Sequence, residues 1–218
     1  MCGRVSSAAI QAEIDRYYEY LRVRSGRPRY ERCWNVAPSQ KQLVIAEHSG
    51  EREARYMTWG FLPVWAKPGM RPMINARGET VATSPMFRDA FRHRRGLVVA
   101  DSFYEWRVNE RGPKTPFRIR LPSEELMLLA AIWERAGEVE TCAIVTTSAI
   151  GIMLRLHHRM PLIIARSDVD AWLGGSVADA VAILDRGITD LDAYPVTQYV
   201  NAPRNDSEMC WERDESAD

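Results

Sequence analysis

Short segments with the apolar pattern of β-strands constrain the fold of this chain more than any other feature. Residues 97–101 form an apolar run of strand length, and residues 117–121 alternate apolar and polar side chains, as a strand with one wet face does. Residues 42–46 and 52–59 flank Ser49-Gly50 and predict a hairpin. Further strand candidates are 126–133, 139–147, 162–164 and 194–197.

Helical periodicity is confined to a few segments. The spacing of Ile10, Ile14 and Tyr17 predicts a helix over residues 8–18, with Ser6-Ser7 as its cap. Further helix candidates are 84–91, 150–156, 168–173 and 178–184. Because strands outnumber helices and do not alternate regularly with them, we predict an α+β fold, a mostly antiparallel, barrel-like sheet with flanking helices.

The chain has no internal repeat and no linker with a change in composition, so we expect a single domain over residues 1–208. Acidic residues gather at the end of the sequence, and we expect 209–218 to be a frayed, solvated tail. Neither a membrane helix nor a secretion signal is recognisable, which predicts a cytoplasmic protein.

Composition narrows the classes of partner and cofactor. The 29 basic and 29 acidic side chains give a formal net charge of +0. This balance argues against a uniformly basic surface for nucleic acid but leaves room for a local basic groove. The four cysteines are widely separated and include no C-x-x-C pair, so the sequence predicts neither a disulfide framework nor a metal site, and we expect no cofactor.

Cys2 is the residue with the most distinctive chemistry. Trimming of Met1 would leave it with a free α-amino group beside its thiol. The ordinary pKa is about 7.7–8.0 for the amine and about 8.5 for the thiol. The amine of such an aminothiol condenses with an aldehyde to an imine, and the thiol then closes a thiazolidine ring. The alternative is a cysteine without function near a frayed terminus.

Two further residues are candidates for proton transfer. Glu105 lies among aromatic residues, and a carboxylate that loses hydration there has a raised pKa, suited to a general acid or base. The alternative is a solvated glutamate at a strand end. His157 or His158 could exchange protons near neutral pH, or the pair could form a surface turn. Adjacent histidines point to different sides and do not form a metal pair.

Several residues suit a nucleic-acid ligand. Asn75 and Arg77 lie two apart, so an extended segment places both side chains on one face, where they could hold a phosphate or sugar oxygen. Arg4 is close to Cys2 in the chain and could contact another phosphate. Trp65 and Trp106 offer surfaces for unstacked bases, although core packing is the alternative for both.

These signals resemble, together and in order, the SOS response-associated peptidase (SRAP) family, also described as abasic-site processing proteins. The matching motifs are Met1-Cys2-Gly3-Arg4, Asn35-Val36-Ala37-Pro38, Trp59-Gly60-Phe61 with Pro63 and Trp65, Ile74-Asn75-Ala76-Arg77-Gly78-Glu79-Thr80, Ala100-Asp101-Ser102-Phe103-Tyr104-Glu105-Trp106, Ile144-Val145-Thr146-Thr147, His157-His158-Arg159-Met160-Pro161 and Val200-Asn201-Ala202-Pro203-Arg204-Asn205-Asp206. The resemblance spans nearly the whole chain.

The resemblance implies a protein that senses abasic sites in single-stranded DNA, cross-links to them through Cys2 as a thiazolidine and shields the lesion during the SOS response. It implies that Asn75 positions the sugar, Glu105 acts as general acid and base, and His157 helps to open the sugar. We expect a monomer that becomes nucleoid-associated when it binds DNA. The implied DNA contacts are Arg4, Pro38, Trp65, Arg77, Trp106, Thr146 and Arg159.

The chain departs from the family pattern at two positions. His158 stands where an acidic residue is common, and Met160 stands where arginine is frequent. The second change removes a possible phosphate contact, so we expect weaker or differently placed contacts to DNA. Three alternatives remain: a Cys2-dependent peptidase that includes autocatalytic removal of Met1, an abasic-site lyase, and a non-catalytic module that binds single strands.

Overall fold

The computed structural model describes residues 2–110, 112–123 and 125–217. Thirteen strands in this part of the chain form two sheets. The strands are β1 (Val5–Ser7), β2 (Val23–Ser25), β3 (Cys33–Val36), β4 (Lys41–His48), β5 (Glu51–Trp59), β6 (Asn75–Arg77), β7 (Arg95–Ala100), β8 (Ser102–Arg107), β9 (Thr115–Arg120), β10 (Met127–Ala136), β11 (Val139–Ser148), β12 (Arg159–Pro161) and β13 (Asp192–Pro195).

The larger sheet closes on itself. Its order is β12-β11-β10-β7-β4-β5-β2, and β11 also pairs in parallel with β5, which joins β11, β10, β7, β4 and β5 in a ring. Strand β6 pairs in parallel with β11 and brings Asn75 beside Ile144. The other pairings in the ring are antiparallel. The predicted α+β fold with a mostly antiparallel, barrel-like sheet is confirmed.

The smaller sheet carries the amino-terminal strand in its interior. Its order is β13-β9-β8-β1-β3, and the pairings are antiparallel. Val5 pairs with Phe103, and the backbone N–H of Tyr104 donates to the carbonyl oxygen of Arg4 over 3.0 Å. This register brings the residues before β1 to the end of β8, where Glu105 lies.

In the part of the chain that the structure describes, five α-helices cover the barrel, and short 3₁₀ turns connect several strands. The helices are α1 (Gln11–Tyr20), α2 (Gly78–Val81), α3 (Arg88–His93), α4 (Val169–Leu173) and α5 (Val177–Ile183). Leu97 and Val99 pack with the helices, whereas Val98 and Ala100 pack against the smaller sheet. Because both faces of β7 are covered, this strand has a continuous apolar run rather than an alternating one. No helix within the described residues is long and apolar enough to cross a membrane.

The predicted hairpin is confirmed, since β4 pairs antiparallel with β5 from Lys41 to His48. Its two turn residues, Ser49 and Gly50, have positive φ values of 52° and 80°. Positive φ at both central residues matches the twist of the flanking strands.

The predicted start of the first helix is wrong. Ser6 and Ser7 belong to β1, where they pair with Ser102 and Cys33, and helix α1 begins at Gln11. The carboxylate of Glu13 accepts a hydrogen bond of 3.0 Å from the backbone N–H of Ile10 and so caps the helix in place of a serine. Long-range strand pairing outweighs the local capping preference.

The expectation of a frayed tail from residue 209 does not hold for its first residues. Glu208–Trp211 form a 3₁₀ turn, Cys210 is fully buried, and Arg213 bridges to Val196. The indole of Trp211 lies 3.8 Å beneath the guanidinium of Arg118, a distance suited to a cation–π contact. Packing of these apolar side chains on the smaller sheet outweighs the acidic composition.

Candidate functional site

Cys2 lies inside the protein, just before β1, and is fully buried. The side-chain amide Nδ2 of Asn75 donates a hydrogen bond of 2.8 Å to the carbonyl oxygen of Cys2. Strand β6 holds Asn75 against β11, so the contact joins the start of the chain to the barrel. The other amide atom, Oδ1, is buried and has no hydrogen-bond partner among the described residues. It is an acceptor positioned beside Cys2.

Glu105 lies on β8 and is nearly fully buried. Burial raises the pKa of Glu105 above its ordinary value. Burial also raises the pKa of the Cys2 thiol, and the negative charge of Glu105 raises it further. The carboxyl of Glu105 is therefore close enough to Cys2 for its charge to act on the pKa of the thiol.

His157 lines a cavity of about 560 Å³ together with Glu105, Trp106 and Lys114. Its Nδ1 accepts a hydrogen bond of 2.9 Å from the backbone N–H of Arg159. With Nδ1 as the acceptor, the neutral ring carries its proton on Nε2. Burial lowers the pKa of His157, so the neutral ring is favoured.

His158 also borders the cavity but is exposed. Its ring stacks on that of His157, with 4.2 Å between the centroids and 29° between the planes. The positive charge of a protonated His158 disfavours a second charge on His157, consistent with the lowered pKa of His157. His158 therefore influences His157, while the half-buried His157 has its Nδ1 fixed by the backbone.

The guanidinium of Arg4 is held by acceptors of the protein rather than exposed to solvent, where a phosphate could reach it. Arg4 is buried, and its Nη1 donates to Oδ1 of Asn35 over 2.7 Å and to the carbonyl oxygen of Val200 over 2.8 Å. The guanidinium also lies 5.5 Å from the ring of Trp106. Burial lowers the pKa of Arg4. Its role as a DNA contact stays a prediction, and Nη1 already has protein partners.

Arg159 and Thr146 are also engaged inside the protein. Both Nη atoms of Arg159 pair with the carboxylate of Glu79, and Nη2 donates to the carbonyl oxygen of Thr146 over 2.6 Å. Arg159 lowers the pKa of Glu79 through these hydrogen bonds. Thr146 is fully buried, so the DNA contact expected of its side chain is not available in this conformation. Its backbone instead holds Arg159.

The remaining predicted DNA contacts lie nearer the surface. Trp65 is 53% exposed, and Arg77 is exposed at the end of β6, two residues after Asn75. Pro38 and Trp106 are half-buried. A larger cavity of about 720 Å³ borders Glu79 and Ser148, but none of the four predicted catalytic residues lines it.

Sequence reasoning missed three residues near the site. Lys114 lines the cavity of Glu105 and His157 from the loop before β9. Asn35 accepts from Arg4, and Asn201 accepts a hydrogen bond of 2.7 Å from the indole of Trp106. Asn35 and Asn201 lie within motifs that carry the resemblance, whereas Lys114 has no such signal. The described residues contain no cluster of three or more His, Cys, Asp or Glu side chains suited to a metal ion.

Comparison with known proteins gives a family match over almost the whole chain. The model of the SOS response associated peptidase (SRAP) family matches residues 1–203. The abasic site processing protein YoqW of Bacillus subtilis is 34% identical, and the alignment covers 95% of this chain and 97% of the relative. The abasic site processing protein YedK of Escherichia coli is 31% identical over 94% of this chain and 96% of its own length.

A more distant relative and solved structures also match most of this chain. The abasic site processing protein HMCES of Gallus gallus is 28% identical, with 96% of this chain and 77% of that protein covered. A crystal structure of a protein from Bacteroides thetaiotaomicron superposes with a TM-score of 0.81 at 22% identity, covering 97% of this chain and 99% of that one. The crystal structure of a phage-related protein of Bordetella bronchiseptica superposes with a TM-score of 0.74 at 27% identity, covering 90% of this chain and 95% of that one. The fold is shared over at least 90% of this chain.

Proposed function

The chain belongs to the SOS response-associated peptidase (SRAP) family, and from that membership we propose that it captures abasic sites in single-stranded DNA through a covalent bond to Cys2. Its relatives are named abasic site processing proteins. The observation that carries the proposal is the arrangement around Cys2. Asn75 donates a hydrogen bond to the carbonyl oxygen of Cys2, and the charge of Glu105 raises the pKa of the Cys2 thiol. Removal of Met1 would convert Cys2 into the aminothiol that reacts with an aldehyde.

The reaction begins at the sugar. An abasic deoxyribose is mostly a closed hemiacetal, and proton transfer is needed to open it and expose the aldehyde at C1. His157 borders the same cavity as Glu105, and the backbone N–H of Arg159 orients its ring through Nδ1, so His157 is the residue we assign to this transfer. Oδ1 of Asn75, which has no hydrogen-bond partner among the described residues, can accept a hydrogen bond from a sugar hydroxyl beside Cys2.

The amine of Cys2 then attacks the aldehyde carbon and forms a carbinolamine. The raised pKa of Glu105 suits a carboxyl that donates its proton to the departing hydroxyl group, which leaves as water. The product is an imine that carries its positive charge on nitrogen. Glu105 is left as a carboxylate in the same position.

The ring closes in the next step. The Glu105 carboxylate takes the proton of the Cys2 thiol, whose own pKa is raised by burial and by that carboxylate. The sulfur then adds to the imine carbon, the C=N π-bond electrons move to nitrogen, and a neutral thiazolidine results. One aldehyde and one aminothiol give one ring and one water, and Glu105 regains the proton that it gave. The buried, water-poor setting opposes hydrolysis of the imine before the sulfur adds.

Contacts outside the reacting atoms would hold the DNA strand. Arg77 is exposed next to Asn75 and can pair with a phosphate, while Trp65 presents a flat, half-exposed ring on which a base can stack. A few arginines and aromatic rings suffice for a single strand, so a net charge of +0 is compatible with this function. We propose a monomer as the active form.

Denaturing electrophoresis tests the proposal directly. Purified protein, with removal of Met1 checked by mass spectrometry, is mixed with a single-stranded oligonucleotide that contains one abasic site. We expect a heat-stable, shifted band that requires both Cys2 and the abasic site, and that is absent from Cys2→Ala. Cys142→Ala is the matched control, because that thiol is also buried but lies away from Glu105. A free Cys2 that yields no shifted band would rule out covalent capture.

The same gel separates the alternatives. A lyase shares the imine but cleaves the strand, so a shortened oligonucleotide without a shifted band would favour that activity. A peptidase would instead cleave peptides in the absence of DNA. Autocatalytic removal of Met1 would be slowed in Cys2→Ala, which the mass of the amino terminus reports.

A further inference from the structure

The segment of residues 198–206, called the bracket here, lies on the outer face of the smaller sheet. It begins with the 3₁₀ turn Gln198–Asn201 and contacts Asn35 on β3. We propose that Asn35 and the bracket form a positioning device that holds Arg4, and through it Cys2, in register with Glu105, and that also orients Trp106 at the cavity. This inference rests on the proposed function and adds residues to it that do not touch the reacting atoms.

Asn35 is the centre of the device. It is fully buried, and its side-chain amide donates to the carbonyl oxygens of Val200 and Ala202 over 3.1 Å and of Asn205 over 2.7 Å. The amide has two N–H groups, so these three acceptors share them. Its Oδ1 accepts from Arg4 over 2.7 Å. One buried side chain thus joins Arg4, just before the first strand, to residues near the end of the chain.

Arg4 transmits this constraint to Cys2. Its guanidinium is fixed by Asn35 and by the carbonyl oxygen of Val200, and its own carbonyl oxygen accepts from the backbone N–H of Tyr104. Cys2 precedes it by two residues and has its carbonyl oxygen held by Asn75. The short segment from Cys2 to Arg4 is therefore held at both ends, by Asn75 at Cys2 and by Asn35 at Arg4. A reaction between positioned groups loses rate steeply when such a constraint is removed.

The bracket also holds Trp106. Oδ1 of Asn201 accepts from the indole N–H of Trp106 over 2.7 Å, and Nδ2 of Asn201 donates to Gln198. Trp106 borders the cavity of Glu105 and His157, and the Arg4 guanidinium lies 5.5 Å from its ring. Both Arg4 and Trp106 are thus positioned by neighbouring residues of one segment.

Burial of Asn35 makes the inference testable, because a fully buried side chain cannot contact DNA. Any effect of Asn35 on the reaction must pass through Arg4 and the bracket. The test compares Asn35→Asp, which keeps an acceptor for Arg4 but loses the donors to the bracket, and Asn35→Leu, which loses both. Each variant is measured for the cross-linking rate at saturating abasic DNA and for affinity to DNA with a tetrahydrofuran analogue, which has no aldehyde.

We expect both variants to lose about tenfold or more in the saturating rate, as for one lost hydrogen bond to a charged group, while affinity for the analogue changes by less than about threefold. Arg22→Ala is the control, because Arg22 is exposed and pairs with Asp170 away from the site. Wild-type rates at saturation in both Asn35 variants would overturn the inference. Failure of the wild-type protein to cross-link would instead overturn the proposed function.

A second measurement tests the inference even where the Asn35 variants do not fold. Asn201 is exposed, so Asn201→Leu removes the contact to Trp106 with little effect on the core. We expect Asn201→Leu to lower the cross-linking rate at saturating abasic DNA, and to add little further loss when combined with Trp106→Ala, since both changes remove one interaction. Losses that add in the double variant, or no loss in Asn201→Leu, would overturn the inference.

Discussion

The side-chain amide of Asn75 donates a 2.8 Å hydrogen bond to the carbonyl oxygen of Cys2. This contact connects the first residues of the chain to strand β6 of the barrel, 73 positions away. Because β6 pairs with the central strand β11, Asn75 is held on a rigid element. The backbone of Cys2, near the chain terminus, is thereby tied to the sheet.

Replacing Asn75 with aspartate should slow cross-linking. The shape of the side chain is kept, but an ionised carboxylate cannot donate to the Cys2 carbonyl oxygen and repels it. We expect a rate loss of about tenfold to a hundredfold, as for one lost buried hydrogen bond with an unsatisfied partner. Rates at saturating abasic DNA provide the measurement, with Gln11→Glu as a control on an exposed amide of helix α1. Equal rates in Asn75→Asp and wild type would contradict the role.

Glu105→Gln should stabilise the protein at neutral pH while it slows the reaction. Burial raises the pKa of Glu105 in the folded state, so the folded protein binds more protons than the unfolded chain above pH of about 4.3. The stability that the protonated carboxyl contributes is complete below the unfolded pKa and is lost as pH rises through the folded pKa. Glutamine stays neutral and avoids that loss.

Thermal unfolding of both proteins across pH 4 to 8 tests this sign. We expect the melting temperature of Glu105→Gln to exceed that of wild type at pH 7 and the difference to vanish toward pH 4. Glu140→Gln is a suitable control, because that carboxylate pairs with Arg55 away from the site. A variant that is less stable than wild type at pH 7 would contradict a raised pKa at Glu105.

Glu79→Gln should strengthen binding to single-stranded DNA. Glu79 now pairs with both Nη atoms of Arg159, and loss of its charge makes that guanidinium available to a phosphate. Pairing of Arg159 with one phosphate should steepen the dependence of log affinity on log salt by about 0.7. Affinity for tetrahydrofuran DNA at several salt concentrations measures this slope.

The control for this prediction is Asp89→Asn. Asp89 lies on helix α3 and pairs with Arg94, which also pairs with Glu134. Its replacement changes the net charge by the same amount as Glu79→Gln without affecting Arg159. An equal rise in affinity for both variants would mean that net charge, rather than release of Arg159, is the cause.

Trp65→Ala should weaken binding of single-stranded DNA without lowering stability much. The ring is 53% exposed, so its removal leaves no core cavity. One stacked base contributes about 1–3 kcal/mol, which predicts a loss of about fivefold or more in affinity. Val64→Ala is the matched control, since Val64 is adjacent and 67% exposed. Equal affinity of Trp65→Ala and wild type would place the DNA strand elsewhere.

The candidate reactive residues could be predicted because their chemistry depends on residue type and local sequence. A cysteine at position 2 is the one cysteine that trimming of Met1 can turn into an aminothiol, and Glu105 among aromatic residues predicts a desolvated carboxylate. Its burial and raised pKa confirm that environment. The strand segments were predictable for a similar reason, since their apolar patterns reflect which faces are covered.

The roles of the arginines required the tertiary structure. Arg4 and Arg159 are as basic in sequence as Arg77, yet their partners lie 196 and 80 positions away, at Val200 and Glu79, whereas Arg77 is exposed. Composition and spacing cannot tell a guanidinium held by carbonyl and carboxylate oxygens from one exposed to solvent, because long-range strand pairing decides which acceptors it meets. The same pairing placed Ser6 and Ser7 in β1 instead of at a helix cap.

Sequence alone thus determined which functional groups this protein possesses and where strands can form, because both depend on side-chain chemistry and local pattern. The tertiary structure alone decided that Asn75 and Glu105 lie close to Cys2, that His157 shares a cavity with Glu105, and that Asn35 joins Arg4 to the bracket. The reason is physical: a hydrogen bond or a pKa shift depends on distance and burial, and both are set by chain segments that are remote in sequence.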